Sequence, residues 1–286
     1  MKAGEPSQTA VMVCIARALA HGAPGVGSYS DPTAFALLPE AAQAWVERSR
    51  EPNAARGAAE RWRRAADARR ALMMVARTVA IDEALRSAAC PQVVILGAGL
   101  DGRAWRMSEL VGATVFEVDH PDSQRVKRAR VGGLTQATRE VRFVPVDFTR
   151  DDLARALADA GHDASLSTIW IWEGVVMYLT RSAIEATLAV IARRSTAGSR
   201  LVVNYHRPAL MTLLVGLLVR RLGEPLRSSF SPEAMRELLA KHGFRVTSDE
   251  DLPTLGARVS PEVGAGAKVL SHSRIALAER ASSPPP

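Results

Sequence analysis

The sequence predicts an α/β protein built on a doubly wound, mostly parallel sheet, with a helical extension at its N-terminal side. Three observations carry that expectation. Residues 93–119, VVILGAGLDGRAWRMSELVGATVFEVD, read as strand, glycine turn, helix and second strand, the order of a mononucleotide-binding half-sheet. From Val93 onward, apolar runs alternate with amphipathic segments, which calls for parallel strands covered on both faces by helices. Ahead of Pro91 the periodicity is helical and nothing is strand-like.

Within 7–20, Val11, Cys14, Ile15, Ala18 and Leu19 recur on one helical face. Gly22 to Gly27 end that helix, and Asp31-Pro32 offer an N-cap and first-turn proline for the next. Segments 39–50, 54–74 and 75–88 read as three more helices, rich in Ala, Arg and Glu. Residues 1–90 are thus expected to form a helical extension or lid, and 91–280 the sheet-containing core. Strands are expected at 93–97, 114–118, 141–145, 168–173, 200–205, 244–249 and 270–277. Helices should fill 103–110, 121–130, 150–160, 181–194 and 232–242. Gly, Pro and polar residues dominate 250–267, so no helix is expected there, and the last two strands can pair as an antiparallel hairpin. A seven-stranded sheet with such a hairpin is the usual shape of class I methyltransferases (Rossmann-like), whereas dinucleotide-binding dehydrogenases run parallel to the end. Residues 281–286 are expected to be a disordered tail.

At 286 residues, with 47% hydrophobic and 23% charged side chains, the chain suits one large domain with elaborations. Its net charge of +7 is carried almost entirely by arginine, nine of them between Arg48 and Arg77 against three acids. No aromatic interleaving accompanies that charge, so it reads as a solvated helix face, and a nucleic-acid partner is not expected. Cys14 and Cys90 lie far apart without metal-ligand spacing, so neither a disulfide framework nor a metal site is expected. No signal pattern opens the sequence, and no run approaches the length of a membrane span. A soluble cytoplasmic protein is the expectation, monomeric or homodimeric.

The chemistry concentrates at strand ends. The Gly97–Gly102 turn lets backbone approach a ligand closely, and Glu117 and Asp119 lie about 20 residues on, where a carboxylate accepts from ribose hydroxyls. An adenosine-containing cofactor is expected, although the turn alone suits NAD as well as S-adenosylmethionine. Asp147-Phe148 follow the third strand, where a carboxylate can meet an exocyclic amine and an aromatic face can cover adenine. Asp147 serves equally as an N-cap for the helix beginning near Arg150. Glu173 ends the fourth strand beside Gly174, at the edge where open α/β sheets bind ligands.

Residues 96–106, LGAGLDGRAWR, resemble the LGAGLDTRAxR motif of the leucine carboxyl methyltransferase-like family. These S-adenosylmethionine-dependent enzymes include protein phosphatase carboxyl methyltransferases and many bacterial small-molecule O-methyltransferases. Residues 115–121, VFEVDHP, resemble the family's FEVDxP strand, and 172–179, WEGVVMYL, its xEGxxMYL segment. Further matches are Ser7-Gln8-Thr9-Ala10 through Arg17-Ala18-Leu19, Asp31-Pro32-Thr33-Ala34, and Arg77-Thr78 with Ile81-Asp82-Glu83. The resemblance covers most of residues 7–280. It implies S-adenosyl-L-methionine as cofactor and S-adenosyl-L-homocysteine as product. By position, Arg77 would bind the methionine carboxylate, with Arg17 assisting, and Gly97 and Gly99 would lie beneath the methionine portion. Asp119 would hold the ribose, Asp147 and Phe148 would contact adenine, and Glu173 would meet the amino group. Asp101 and Glu117 complete the candidate cofactor contacts. Gly102 departs from the family's usual Thr and leaves the turn without a hydroxyl.

Methyl transfer from a sulfonium needs alignment above all. A carboxylate acceptor is already ionised at neutral pH, whereas a phenol or alcohol needs a base or firm positioning. His206, Tyr178 and Asp101 are the candidates, and His206 has the ordinary pKa best suited to proton removal. The stretch 205–230, with its apolar run 209–219, should wall or cap the acceptor pocket and exclude water. The expected acceptor is an apolar metabolite with a carboxyl or hydroxyl group, such as a polyketide or fatty-acid-like product of secondary metabolism, rather than a protein terminus.

Overall fold

In the computed structural model, the described residues are 7–51, 57–148, 150–208 and 226–281. Four helices precede the sheet: α1 (Gln8–Ala20), α2 (Ala34–Leu37), α3 (Glu40–Arg50) and α4 (Ala58–Ala88). Ser7 caps α1 by accepting from the Ala10 N–H. The sequence reading split 54–88 into two helices, but α4 is one. It contains neither Gly nor Pro, so nothing interrupts its hydrogen-bond ladder. It ends at Ala89, held at φ 46°, just ahead of Pro91.

Seven strands follow: β1 (Gln92–Leu96), β2 (Thr114–Asp119), β3 (Glu140–Pro145), β4 (Thr168–Trp172), β5 (Arg200–His206), β6 (Phe244–Asp251) and β7 (Ser273–Arg280). Their order in the sheet is β3-β2-β1-β4-β5-β7-β6. The first five are parallel, and β7 runs antiparallel to both β5 and β6. This is the class I methyltransferase sheet, with its topological switch between β1 and β4. Among the described residues, the intervening helices are α5 (Arg103–Arg106), α6 (Pro121–Val131), α7 (Leu153–Asp159), α8 (Arg181–Arg193) and α9 (Pro232–Lys241). The helix expected over 103–110 is a single α-turn followed by a 3₁₀ turn at Ser108–Leu110.

The expectation of no helix in 250–267 is corrected by α10 (Leu252–Val259) and α11 (Pro261–Ala267). Both prolines sit in a first turn, where the missing N–H costs nothing, behind the N-caps Asp251 and Ser260. The glycines have a packing role. A Cβ on Gly264 would come within 2.9 Å of Ala257 Cα, and one on Gly256 within 3.0 Å of the Val263 carbonyl. Most of the proposed 205–230 cap, residues 209–225, and all but Ala281 of the expected tail lie outside the described residues.

Strand parity divides the core. On β4, Ile169 and Ile171 join α4, α10 and α11 on one face, while Trp170 and Trp172 join α7, α8 and α9 on the other. A third cluster, built on Cys14, Leu37, Trp45 and Leu100, fastens α1–α3 to the turn after β1.

Parity also decides the fate of Glu117. It lies one pleat inside β2, in register with Ile95 and Phe143, and is fully buried. Its carboxylate pairs with the equally buried Lys127 at 2.6 Å, and that ammonium lies 5.1 Å from the centroid of the Trp105 ring. Burial pushes the Glu117 carboxyl up while Lys127 pulls it down. Lys127→Met should therefore cost about 3 kcal/mol in urea unfolding, because a buried carboxylate loses its partner. Adding Glu117→Leu should recover most of that loss. A Lys127→Met protein as stable as the wild type would show that the pair does not hold the sheet.

Candidate functional site

The carboxyl ends of β1, β2, β4 and β5 and the first turns of α1 enclose a cavity of about 910 Å³. Of the residues expected from sequence, Arg17, Arg77, Gly97, Gly99, Asp101, Asp119, Phe148, Glu173, Tyr178 and His206 line it together. Two do not. Glu117 is spent on Lys127 inside the sheet, and Asp147 lies off the cavity wall, 3.8 Å from Arg150. Nor does Asp147 cap the following helix. Asp152 does, accepting from the Ala154 and Arg155 N–H groups.

The glycine turn is pinned to β2 through Gly97 and Ala98 N–H donating to the Val118 carbonyl, at 2.8 and 3.1 Å. Gly97 has φ 71°, and a Cβ there would drive into the Val175 side chain, so only glycine fits. Asp119 accepts from the backbone N–H of Gly99 with one oxygen and of His120 with the other. Burial raises its pKa and those two bonds oppose the rise. The carboxylate is thereby aimed, with lone pairs left over toward the cavity. At Gly102, where the family's usual Thr is missing, an added Cβ would collide with the Thr33 hydroxyl. That hydroxyl donates to Asp31 at 2.7 Å, so the space is filled from the N-terminal segment.

Sequence reasoning missed the buried ion network behind the wall. Arg103, 1% exposed, reaches Asp82 at 2.8 Å, Asp101, and Glu173 at 2.9 Å. Arg106 joins Asp82 at 2.7 Å to Asp31 at 3.6 Å, and Asp31 in turn meets Arg17 at 3.6 Å. Despite burial, which by itself raises a carboxyl pKa, Arg103 and its cationic neighbours hold Asp101 well below the carboxylate range. Asp101 is accordingly a fixed anion and not a base. Every member lies in a segment with a motif match, but the pattern of matches does not reveal that they touch.

At the cavity face of this network, Arg77 Nε stands 2.6 Å from Glu173 Oε1. The contact is misaligned as a hydrogen bond and leaves that nitrogen unsatisfied. Glu173 Oε2 is held from behind by Arg103. Burial acts to raise the Glu173 pKa, but Arg77 and Arg103 outweigh it and the group stays ionised. A cation and an anion therefore stand side by side on the wall, the anion fixed from the rear.

His206 corrects a sequence expectation. Its ring packs edge to face on His272 at 4.8 Å, and its buried Nδ1 has no hydrogen-bond partner among the described residues. Burial first, then His272 and Arg77, push its pKa down to about 3. The imidazole stays neutral at physiological pH and is a weak base, so the expected fitness for proton removal is lost. Tyr178 reaches the wall from the 3₁₀ turn Val176–Tyr178. No group of three or more potential metal ligands occurs among the described residues.

The family model for leucine carboxyl methyltransferase matches residues 10–192. The chain belongs to the leucine carboxyl methyltransferase family. A relative from Streptomyces coelicolor is 40% identical over 134 residues, covering 46% of this chain and 47% of its own length. Another, from Mycolicibacterium gilvum, is 35% identical over 224 residues, covering 74% of this chain and 66% of its own length. Both are provisionally named S-adenosyl-L-methionine-dependent methyltransferases. The chain spans about half the length of several of the curated relatives it matches. The fold is shared with the crystal structure of a DUF574 family protein from Streptomyces avermitilis. The TM-score is 0.62 at 12% identity, over 96% of this chain and 98% of that one. In this leucine carboxyl methyltransferase family member, the matched region includes Arg17, Arg77, the glycine turn, Asp119 and Glu173, whereas His206 lies beyond it.

The depressed His206 pKa has a measurable sign. The unfolded chain takes a proton near the ordinary imidazole value of about 6.5, but the folded chain refuses it until about pH 3. Stability owed to neutral His206 is full above about pH 6.5 and is lost as pH falls toward 3. In thermal melts at about pH 7.5 and about pH 5, His206→Asn should lose less on acidification than the wild type. Equal losses would remove the basis for a buried neutral ring.

Proposed function

We propose that this chain is an S-adenosyl-L-methionine-dependent O-methyltransferase acting on a carboxyl or hydroxyl group of an apolar small molecule in secondary metabolism. The observation that carries the reading is the Arg77–Glu173 pair on the cavity wall, beside a glycine cradle and the aimed carboxylate of Asp119. The donor set fits this cofactor. A zwitterionic amino-acid end needs one guanidinium and one carboxylate, and the imperfect Arg77–Glu173 contact leaves both able to exchange onto a ligand. Arg77 would take the carboxylate and Glu173 the ammonium, Gly97 and Gly99 would let the backbone lie close, Asp119 would accept from the ribose, and Phe148 would cover the base.

When bound, the cofactor would supply a sulfonium-linked methyl group to an acceptor oxygen, the electron pair of the broken S–C bond staying on sulfur; a carboxylate acceptor has no proton to lose, and a hydroxyl would release its proton to water. The chain's own work is alignment and exclusion of water. Val175, Met177 and Leu179 give the same cavity an apolar lining. His206, held neutral, and Tyr178 offer hydrogen bonds that orient an acceptor without carrying charge into the cavity. A sheet whose seventh strand is antiparallel and inserted between β5 and β6 argues against the NAD-dependent dehydrogenase reading, whose usual six-stranded sheet runs parallel to its end. We assign no nucleic-acid or membrane partner. No helix among the described residues is long and apolar enough to cross a membrane.

Calorimetry tests the cofactor site. S-adenosylhomocysteine should bind the wild type, and Arg77→Ala should weaken it about ten-fold or more. The same substitution should scarcely change binding of 5′-methylthioadenosine, which lacks the charged end. No heat and no thermal stabilisation from S-adenosylhomocysteine would defeat the assignment. Labelled methyl groups transferred to a panel of carboxylic acids and phenols, then challenged with alkali, distinguish esters from ethers. Binding without any transfer would instead describe a non-catalytic cofactor-binding protein.

A further inference from the structure

We infer that Arg227 is an anion-binding residue for the methyl acceptor, and that the acceptor class is an amphipathic carboxylic acid. The inference rests on the methyltransferase reading above and narrows it. Among the described residues, three arginines line the cavity: Arg17, Arg77 and Arg227. Arg17 is held by Asp31 and the Leu100 carbonyl, and Arg77 faces Glu173 and is the residue assigned above to the cofactor's carboxylate. The Arg227 guanidinium has no carboxylate partner among the described residues, although its backbone is firmly placed.

That placement is specific. The Arg227 N–H donates to the Met177 carbonyl at 2.7 Å, and the Ser228 hydroxyl donates to the Val176 carbonyl at 2.8 Å. Three residues on, the Phe230 N–H donates to the His206 carbonyl at 2.9 Å. Residues 227–230 therefore run from the 3₁₀ turn after β4 to the end of β5, between two pieces of cavity wall. Arg227 stands exposed at the rim of that run, where an anion reaches it from solvent. The wall beside it is apolar, from Met177 and Leu179, and His206 adds a neutral ring whose buried Nδ1 lacks a partner.

An exposed fork of donors at the rim, an apolar wall beside it and one hydrogen-bonding atom unfilled among the described residues describe a ligand with a carboxylate and a hydrocarbon body. A cationic acceptor would meet Arg227 with like charge. A neutral acceptor would leave its donors to water. The carboxylates on the same cavity wall, Asp101, Asp119 and Glu173, are all held by donors of the protein itself. Among the described residues, the rim cation is consequently the charge left for the substrate to answer.

The test uses octanoate, octan-1-ol and octylamine as probes, titrated calorimetrically at low ionic strength into protein with and without saturating S-adenosylhomocysteine. Octanoate should bind more tightly than the alcohol, and the amine should not bind. Arg227→Met should weaken octanoate about ten-fold or more and abolish its advantage over the alcohol. Arg227→Lys, which keeps the charge but loses the fork, should fall between. Octanoate affinity unchanged in Arg227→Met, equal affinity for octanol, or no octanoate binding in either state overturns the inference. Titration of S-adenosylhomocysteine alone into both proteins separates the two assignments. Equal affinity there leaves the cofactor site intact whatever octanoate does, whereas no binding to either protein is a failure of the cofactor site itself.

Discussion

Four guanidiniums, of Arg17, Arg77, Arg103 and Arg106, and four carboxylates, of Asp31, Asp82, Asp101 and Glu173, share one chain of contacts behind the cavity. Each charge is deeply buried or nearly so, and each depends on the next for its solvation. Removing one member of such a set strands another in a medium that cannot stabilise it, at a cost of about 3–5 kcal/mol. The network draws on α1, the segment before α2, α4, the turn after β1 and the end of β4. These elements must therefore hold one mutual arrangement. Its rigidity reaches the cavity through Glu173, whose rear oxygen belongs to Arg103 and whose front oxygen faces Arg77.

The sheet supplies the complementary constraint. Residues inside a strand are committed to one face or the other, and only the carboxyl ends open toward the cavity. Glu117 and Asp119 illustrate the difference two residues make. One is enclosed with Lys127, while the other stands at the strand terminus and orients itself on backbone N–H groups. His206 is likewise at a strand end, but burial, aided by His272 and Arg77, keeps its titratable ring neutral. Geometry brought it to the site, and burial changed its chemistry.

Much of this was legible from residues alone. Strand positions, the glycine turn and the terminal antiparallel pair follow from local patterning, and Arg77, Asp119 and Glu173 from motif resemblance. What escaped depends on tertiary contact. The salt-bridge partners Asp82 and Arg106 lie 24 residues apart in sequence, and periodicity carries no trace of their meeting. The two helices in 252–267 were hidden because Pro and Gly were read as breakers. In place, the prolines start helices and the glycines allow two backbones to touch. The unity of α4 was obscured by a change in composition near Met74, although no residue there stops a helix.

The strand that reaches the sheet last in sequence occupies an interior place. β7 is wedged between β5 and β6, pairing Ser273 with His206 at one end and Glu279 with Arg200 at the other. During synthesis, β5 must wait with a bare edge, and β6 has no neighbour to join, until residues 273–280 emerge. Unpaired apolar edges are the surfaces on which nascent chains misassociate. The half of the pocket bearing His206 therefore rests on a strand whose partner lies nearly seventy residues further along the chain, so the integrity of that wall depends on the C-terminal hairpin being in place.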